Sequence, residues 1–359
     1  MDFLFLGGKQ LTSNNKKIFQ AIEESFKDQK VSTNSKIGRV ITEQKGSYLV
    51  RAEEEEVIAK ISGKLRYETM AREDLPAVGD WVFFKEDGGI IESVLPRTSK
   101  FSRKKAGLEA EEQIIASNID YVFILTSLND DLNVNRIERY LLLCWESGAT
   151  PIVVLTKADL CLNVEKKKAE VENMLMGVKV FCISTVERDG IDELEPYLGE
   201  GKTIALVGSS GVGKSTFINH LLGSDMQKTN DVRDSDAKGK HTTTYRQLFY
   251  LENGCAVIDT PGMREIQLWQ GEDGLSTQFE DIEELALGCR FTDCEHYSEP
   301  GCKVQEAIRE EIVTESRLEN YRKLQREVAY MERKGDKRLQ SLERKKWKKR
   351  AQSRKVKQE

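Results

Sequence analysis

At 359 residues the chain has room for two or three domains, and 39% hydrophobic with 32% charged residues gives it packed cores and a polar surface. No apolar run approaches bilayer length, which excludes a chain built on membrane-spanning helices. The formal charge of −5 hides an asymmetry: residues 333–359 carry 13 Lys and Arg against 3 Asp and Glu, leaving +10 on the tail and −15 on the rest. An acidic body with a basic end is the pattern of a protein that touches a polyanion with one end, the alternative being a solvated charged helix.

Met1-Asp2-Phe3-Leu4-Phe5-Leu6-Gly7 has an acid where a signal peptide needs positive charge, and its apolar stretch is short, so a cytoplasmic protein is expected. Its seven cysteines are then not expected in disulfides. Residues 1–34 form a polar N-terminal extension in which Ile18, Ala21, Ile22 and Phe26 give one short helical face. No function is legible there. From 35 to 106 the pattern changes. Short strand-like runs at 38–41, 47–51, 56–61, 80–84 and 89–94 are punctuated by Gly46, Gly63, Gly79, Gly88 and Gly89. Five such runs predict a small closed β-barrel. A five-stranded Greek-key barrel of this size binds oligonucleotides or simply docks on its neighbour, and the pattern leaves both open.

A basic link, Arg103-Lys104-Lys105, leads into residues 107–278, where strands and helices alternate. The predicted order is strand 118–125, helix 135–146, strand 151–155, helix 165–176, strand 178–183, strand 203–207, a helix from Phe217, and strands 245–251 and 256–258. This rhythm predicts a mostly parallel sheet with helices on both faces. Within it, Gly208-Ser209-Ser210-Gly211-Val212-Gly213-Lys214-Ser215-Thr216 joins a strand to a helix, which is the context a phosphate-binding loop requires. Glycines let backbone N–H groups turn inward around an anion, and the helix N-terminus adds partial positive charge. Lys214 would reach the β- and γ-phosphates and the Ser215 hydroxyl would ligate Mg²⁺.

Two more motifs follow strands, where such sheets carry their ligand loops. Asp259-Thr260-Pro261-Gly262 supplies an acid for Mg²⁺ through water, and the Gly262 amide would meet the γ-phosphate. Thr156-Lys157-Ala158-Asp159 supplies a carboxylate that accepts two hydrogen bonds from guanine, whereas adenine lacks that donor pair. Lys157 would lay its stem along the base, and Ser184-Thr185 would support the base from the other side. Alone, Thr-Lys-x-Asp is a weak signal; beside the other two motifs it points to GTP and GDP. The base-reading motif precedes the phosphate loop, the reverse of Ras-like proteins, so the domain looks circularly permuted. In the polar stretch 223–244, Thr243 is the candidate Mg²⁺ ligand in the triphosphate state. His241 is the candidate water-orienting group, with a plain surface histidine as the alternative. Met263 stands where Ras-type proteins carry a water-orienting glutamine, so slow intrinsic hydrolysis that needs a partner is expected.

Cys289, Cys294, His296 and Cys302 bring three thiols and an imidazole within one short segment. Four soft protein ligands suit a closed, structural zinc site. Cys144, Cys161, Cys182 and Cys255 read as core residues. Ser316 with Glu319 predicts a capping box, and Tyr321, Leu324, Val328 and Met331 continue at helical spacing. Beyond Gly335, Trp347 sits among Lys345, Lys346, Lys348 and Lys349, where it would stack on an RNA base or stand exposed.

The permuted order, the barrel ahead of it and the cysteine–histidine cluster after it together resemble the ribosome small subunit-dependent GTPase A family, over about residues 37–332. Thr156–Asp159, Gly208–Thr216, residues 239–244, Asp259–Gly262 and Cys289–Cys302, with Glu299-Pro300-Gly301 before the last cysteine, carry the resemblance. It implies a multidomain α/β protein with an N-terminal OB-fold β-barrel (35–106), a circularly permuted P-loop GTPase domain (107–278) and a C-terminal zinc-binding helical domain (279–332), with the basic tail (333–359) lying outside the resemblance. It also implies late maturation of the 30S ribosomal subunit, GTP hydrolysis stimulated by that subunit, contact with rRNA, and no membrane partner. A monomer is expected. The chain departs from the usual pattern at Thr156, where asparagine is common, and at Ser184-Thr185, where serine-alanine is common. Two other readings stand beside this one. In the first, an RNA-binding scaffold holds GTP but turns it over only marginally. In the second, disfavoured by Asp159, the chain is an ATP-using P-loop kinase.

Overall fold

Residues at alternate positions of a strand share a face. In the computed structural model of the chain, Tyr48 and Val50, Val82 and Phe84, and Ala59 and Ile91 are thereby buried around one small core, with Val40 and Ala52. The structure describes residues 13–44, 46–69, 72–104, 112–129, 132–175, 177–223, 246–259 and 272–335. They belong to two compact units, Met1–Arg103 with Glu111–Ile266, and Lys104–Ala110 with Gln267–Glu359. Among the described residues no helix is long and apolar enough to cross a membrane.

The first unit opens with α1 (Ser13–Ser25), then β1 (Ser35–Gln44), β2 (Ser47–Arg51), β3 (Glu56–Ile61), the short α2 (Gly63–Glu68), β4 (Trp81–Lys85) and β5 (Ile90–Val94). β1 pairs antiparallel with both β2 and β4, β2 with β3, and β4 with β5, while β3 and β5 run parallel. The pairings therefore close into a ring. Gly38 lies on its inner side: a Cβ there would meet Val50 Cγ1 at 2.4 Å and Phe84 Cε1 at 2.8 Å, so any side chain would push the ring apart. Ile41 is an extra residue of β1 between the Val40–Val50 and Thr42–Leu49 pairs, and such a bulge bends and twists its strand.

α1 covers the ring's other face. Ile18, Ile22 and Phe26 pack there as the helical period predicts, but the anchor is Phe19, buried edge-on against Trp81 with centroids 4.9 Å apart. Ala21, expected on the same face, is exposed. Lys16 and Gln20 bond Glu54 and Glu53 in the turn after β2. Asp80, fully buried, takes both arms of the Arg97 fork at 2.8 and 2.7 Å and the Ser117 hydroxyl at 2.5 Å. A buried carboxylate is tolerable only when surrounded in this way. The expected basic link is in part a strand: Arg103 and Lys104 end β6 (Lys100–Lys104), which pairs with β7 (Glu112–Ser117). Buried Phe101, Ile114 and Ile115 hold that ribbon down, and their apolar pull outweighs the flanking charge.

The alternating region follows as β8 (Tyr121–Ser127), α3 (Val134–Ser147), β9 (Thr150–Thr156), α4 (Val164–Met174), β10 (Lys179–Cys182), β11 (Thr203–Gly208), α5 (Lys214–Leu222), β12 (Gln247–Tyr250) and β13 (Ala256–Asp259). The strands lie in the order β10-β9-β8-β11-β13-β12, parallel except for β12, and β1 of the ring continues the sheet beyond β12. Continuous apolar runs suit strands covered on both faces. On one face Phe123, Leu125, Ile204 and Leu206 pack on Phe217 and Ile218 of α5. The chain winds outward from β8 to β10, then returns to lay β11 on the other side of β8. This reversal is where open α/β sheets take their ligands, at the carboxyl ends of the strands.

The second unit contains α6 (Glu272–Gln278), α7 (Glu280–Leu287), α8 (Lys303–Arg309) and α9 (Glu315–Gly335). Phe279, Ile282, Val304, Ala307, Leu318, Tyr321, Leu324 and Val328 are buried. The stripe predicted from Tyr321 onward is thus core as far as Val328. Arg317 grips Asp281 with two hydrogen bonds of 2.8 and 2.7 Å and lies over the Phe279 ring. The predicted capping box does not form. Thr314 Oγ1 accepts the Arg317 amide at 3.2 Å, and Ser316 falls inside the first turn, where its side chain cannot cap.

Candidate nucleotide site and metal centre

β11 ends at Gly208, where the backbone passes too close to β8 for a side chain. A Cβ on Gly208 would lie 2.3 Å from the Leu125 carbonyl oxygen, and its φ is +151°. From there the loop runs to α5, which begins at Lys214. Val212 is its apolar foot, buried in the core under α5. Ser210, Gly211 and Thr216 are exposed, while Ser209, Gly213 and Ser215 are half-buried. Lys214 bends back over the loop, its Nζ donating to the Gly208 and Ser209 carbonyls at 2.7 and 2.8 Å. Gly208→Ala is expected to displace the loop and to weaken GDP binding by roughly 10²-fold, the cost of about one hydrogen bond to a charged phosphate. Fluorescence titration with a circular dichroism control checks this, and unchanged affinity would show that the Leu125 carbonyl can give way.

The Thr156–Asp159 motif is tied to this loop. Thr156, buried at the end of β9, donates its hydroxyl to the Val212 carbonyl at 2.7 Å and also contacts the Thr126 carbonyl at 3.3 Å. A threonine in the place of the commoner asparagine therefore still reaches the phosphate loop. Lys157 takes φ +58° and turns the chain, and the Ala158 amide donates to the Ile183 carbonyl at 3.1 Å. The exposed Asp159 carboxylate then receives the Ser184 hydroxyl on Oδ1 at 2.6 Å. Ser184 in turn accepts the Glu187 amide at 3.1 Å, which fixes its rotamer. Thr185 lies beside it, half-buried. Asp259 closes β13, buried between Leu206 of β11 and Gln247 of β12. Since β8, β9, β10, β11 and β13 all run the same way, their carboxyl ends gather Thr156–Asp159, Ser184, the Gly208 loop and Asp259 along one edge. His241, Thr243, Gly262 and Met263 lie outside the described residues.

The second unit gathers its sulfurs as closely. The ligand atoms of Cys289, Cys294, His296 and Cys302 all lie within 4.8 Å of one another. Cys289 Sγ is 3.8 Å from Cys302 Sγ and 3.7 Å from His296 Nδ1, and Cys302 Sγ is 3.4 Å from that nitrogen. Metal–sulfur bonds of about 2.3 Å at tetrahedral angles require sulfurs roughly 3.8 Å apart and sulfur–nitrogen edges slightly shorter, so the cluster fits a four-coordinate metal such as zinc. Backbone amides prepare the donors: Lys303 N–H points to Cys289 Sγ and Gln305 N–H to Cys302 Sγ, each at 3.4 Å. Burial opposes charge on Cys289, but the amides of Lys303 and Val304 and the adjacent thiols hold its thiol below the usual range. Burial and the Arg322 charge lower the His296 pKa, which favours the neutral, ligating imidazole.

Sequence reasoning missed the residues that orient His296. Gln305 Nε2 donates to its carbonyl at 2.5 Å, and Arg322, stacked on Tyr297, reaches the same oxygen. Only Gln305 had a local signal, lying one helical turn after Cys302. Of the remaining cysteines, Cys144 and Cys255 are core residues as expected, with burial pushing the Cys255 thiol up to about 12. Cys161 is not: it lies half-buried in the turn after residues 158–160. Cys182 is also half-buried, its thiol pushed up to about 11 by what burial it has.

A family model described as RsgA GTPase matches residues 94–269. One described as ABC transporter matches residues 191–358, beginning ahead of β11 and its phosphate loop and leaving out the Thr156–Asp159 motif. The small ribosomal subunit biogenesis GTPase RsgA 2 of Listeria monocytogenes is 47% identical over 323 residues, 90% of this chain and 92% of that protein. RsgA of Methanosarcina acetivorans is 45% identical over 276 residues, 76% of this chain and 75% of that one. Among solved structures, YjeQ from Thermotoga maritima superposes with a TM-score of 0.61 at 27% identity, over 82% of this chain and 99% of that chain. YloQ, a circularly permuted GTPase, shares the fold with a TM-score of 0.60 at 22% identity, over 83% and 96%. A strand carrying the Thr156–Asp159 motif that precedes the glycine-rich loop in the chain, bonded to it across the sheet, and near-half identity along nine-tenths of the length lead to one conclusion: this chain belongs to the RsgA family of P-loop GTPases.

Proposed function

We propose that this chain hydrolyses GTP to GDP and phosphate on the small (30S) ribosomal subunit late in its maturation, with the subunit accelerating the reaction. The hydrogen bond from Thr156 to the Val212 carbonyl carries the nucleotide half of this reading, because it fixes the distance between base and phosphate sites. The names of the relatives, small ribosomal subunit biogenesis GTPases, support the ribosomal half.

In this reading, amides of Gly208–Thr216 and Lys214 hold the phosphates, and Ser215 and Thr243 ligate Mg²⁺ with Asp259 behind a water. The Gly262 amide meets the γ-phosphate. Asp159 selects guanine, Lys157 and Ala158 line the base, and Ser184 and Thr185 support the base from the other side. His241 orients the water. The five-stranded ring is an OB-fold that meets rRNA, and the domains divide near residues 35, 107, 279 and 333. The Cys289–Cys294–His296–Cys302 site holds one structural zinc, which supplies folding energy rather than chemistry. The basic tail adds further rRNA contact. The protein works in the cytoplasm as a monomer.

Met263, unable to orient water, favours a second reading, an RNA-binding scaffold that turns GTP over only marginally. GTP turnover measured with and without purified small subunits, with Lys214→Ala as the control, separates the two. Acceleration lost in the variant supports the enzyme. Tight GTP binding with no acceleration supports the scaffold.

A further inference from the structure

The ring and the nucleotide-binding sheet share one strand, and the sharing is confined to a few points. At the amino-terminal edge of the parallel strands, Arg39 of β1 is a fixed joint. It lies over the Trp81 ring at 5.1 Å and donates to Thr203 Oγ1 at 2.8 Å, the Asn118 carbonyl at 3.3 Å and the Gly79 carbonyl at 3.2 Å. Past the Ile41 bulge, β1 meets β12 in one register pair among the described residues, Thr42 with Gln247. The buried Thr42 hydroxyl donates to the Arg246 carbonyl at 3.0 Å. This second joint lies at the opposite edge, where the nucleotide motifs gather. Thr42 stands level with Gln247, Gln247 with Asp259, and Asp259 with Leu206, two residues short of Gly208. Arg246 also directly follows residues 224–245, which contain His241 and Thr243.

We infer that Thr42 is a positioning residue that couples the ring to GTP hydrolysis. A ligand that shifts the ring moves β1 about the Arg39 joint. The Thr42 hydroxyl transmits that movement to the Arg246–Gln247 backbone, and the strand pair carries it on to Asp259. Sheet hydrogen bonds suit this task, since a strand displaced at one rung shifts its neighbour at the same level. Thr42 touches no nucleotide group, so its effect is confined to the accelerated reaction. The inference rests on the proposed acceleration by the small subunit.

The test uses the full chain, purified small subunits and GTP. Thr42→Val keeps the β-branched shape and removes only the hydroxyl. The expected result is unchanged subunit-free turnover, GDP affinity and half-saturating subunit concentration and a thermal midpoint at most a few degrees lower, with the maximal subunit-stimulated rate about fivefold to tenfold lower, the factor one lost hydrogen bond supplies. Thr42→Ser, which restores the donor, is expected to recover the rate. Full stimulation in Thr42→Val overturns the inference. So does an equal loss of basal and stimulated turnover, which marks a structural role, or a change in half-saturation alone, which marks a binding role. If the unmodified protein shows no stimulation, the proposed ribosomal function itself fails, and the coupling with it.

Discussion

Asp159→Asn is expected to weaken GDP binding by roughly 10²- to 10⁴-fold, because two charge-assisted hydrogen bonds of about 1.5–3 kcal/mol each are lost or inverted. The carboxylate offers two acceptors to the two N–H donors of guanine. An asparagine offers one acceptor and one donor, and the donor faces a guanine N–H. Xanthine, with an oxygen in place of the exocyclic amine, matches that reversed pair, so the variant is expected to prefer xanthosine diphosphate to GDP. The Ser184 hydroxyl makes this swap geometrically clean. It donates to Oδ1 at 2.6 Å and can hold the amide oxygen of the variant in the same place, leaving the new NH₂ toward the base. Ser184→Ala should cost less, because it frees the acceptor without changing its chemistry. Competition titrations with GDP, ADP and xanthosine diphosphate provide the measurement. An Asp159→Asn protein that still binds GDP as tightly as the unmodified chain would remove Asp159 from the base site.

Stripping the metal centre is expected to unfold the second unit while sparing nucleotide binding. Among the described residues of that unit, α6, α7 and α8 span 7, 8 and 7 residues, and helices so short are marginal in water without tertiary support. The segment between Cys289 and Cys302 has no helix or strand of its own among the described residues. What orders it is a loop of hydrogen bonds around the ligands. Structural zinc contributes on the order of 10 kcal/mol to comparable small folds, about as much as the whole net stability of a domain. A strong chelator, or Cys302→Ser, should therefore expose residues 267–335 to protease and lower the helical signal. The unmodified protein should release close to one zinc per chain. GDP affinity in the first unit serves as the internal control. Unchanged protease resistance after complete metal loss would mean that Phe279, Ile282, Val304, Tyr321 and their neighbours suffice on their own.

Much of this molecule was legible from local order. The glycine-rich loop, Thr156–Asp159 and Cys289–Cys302 are contiguous or nearly so, and their chemistry requires fixed spacing within a few residues. The strands of the nucleotide domain declared themselves as unbroken apolar runs because both faces of the sheet are covered. The ring's strands showed as short apolar runs bounded by glycines, and β2 and β4 are buried along almost their whole length, β4 because α1 packs on the ring from outside. Expectations failed where two local signals competed. Thr314 and Ser316 could both start α9, and the geometry of the first turn chose the former. Charge at Arg103 and Lys104 suggested a link, whereas buried Phe101 made a strand.

By itself, then, the sequence determined most of the strands and helices and set the glycine-rich loop, Thr156–Asp159 and the cysteine–histidine cluster in recognisable motifs, since each depends on residues close together along the chain. Tertiary structure alone decided how these parts are joined. Thr156 reaches Val212 across 56 residues, Ser184 reaches Asp159 across 25, and Thr42 of the ring reaches Arg246 across 204. Such bonds leave no period or spacing in the sequence, because folding sets them by bringing distant strand ends to one edge, and a hydroxyl at any of those positions looks like any other until that has happened.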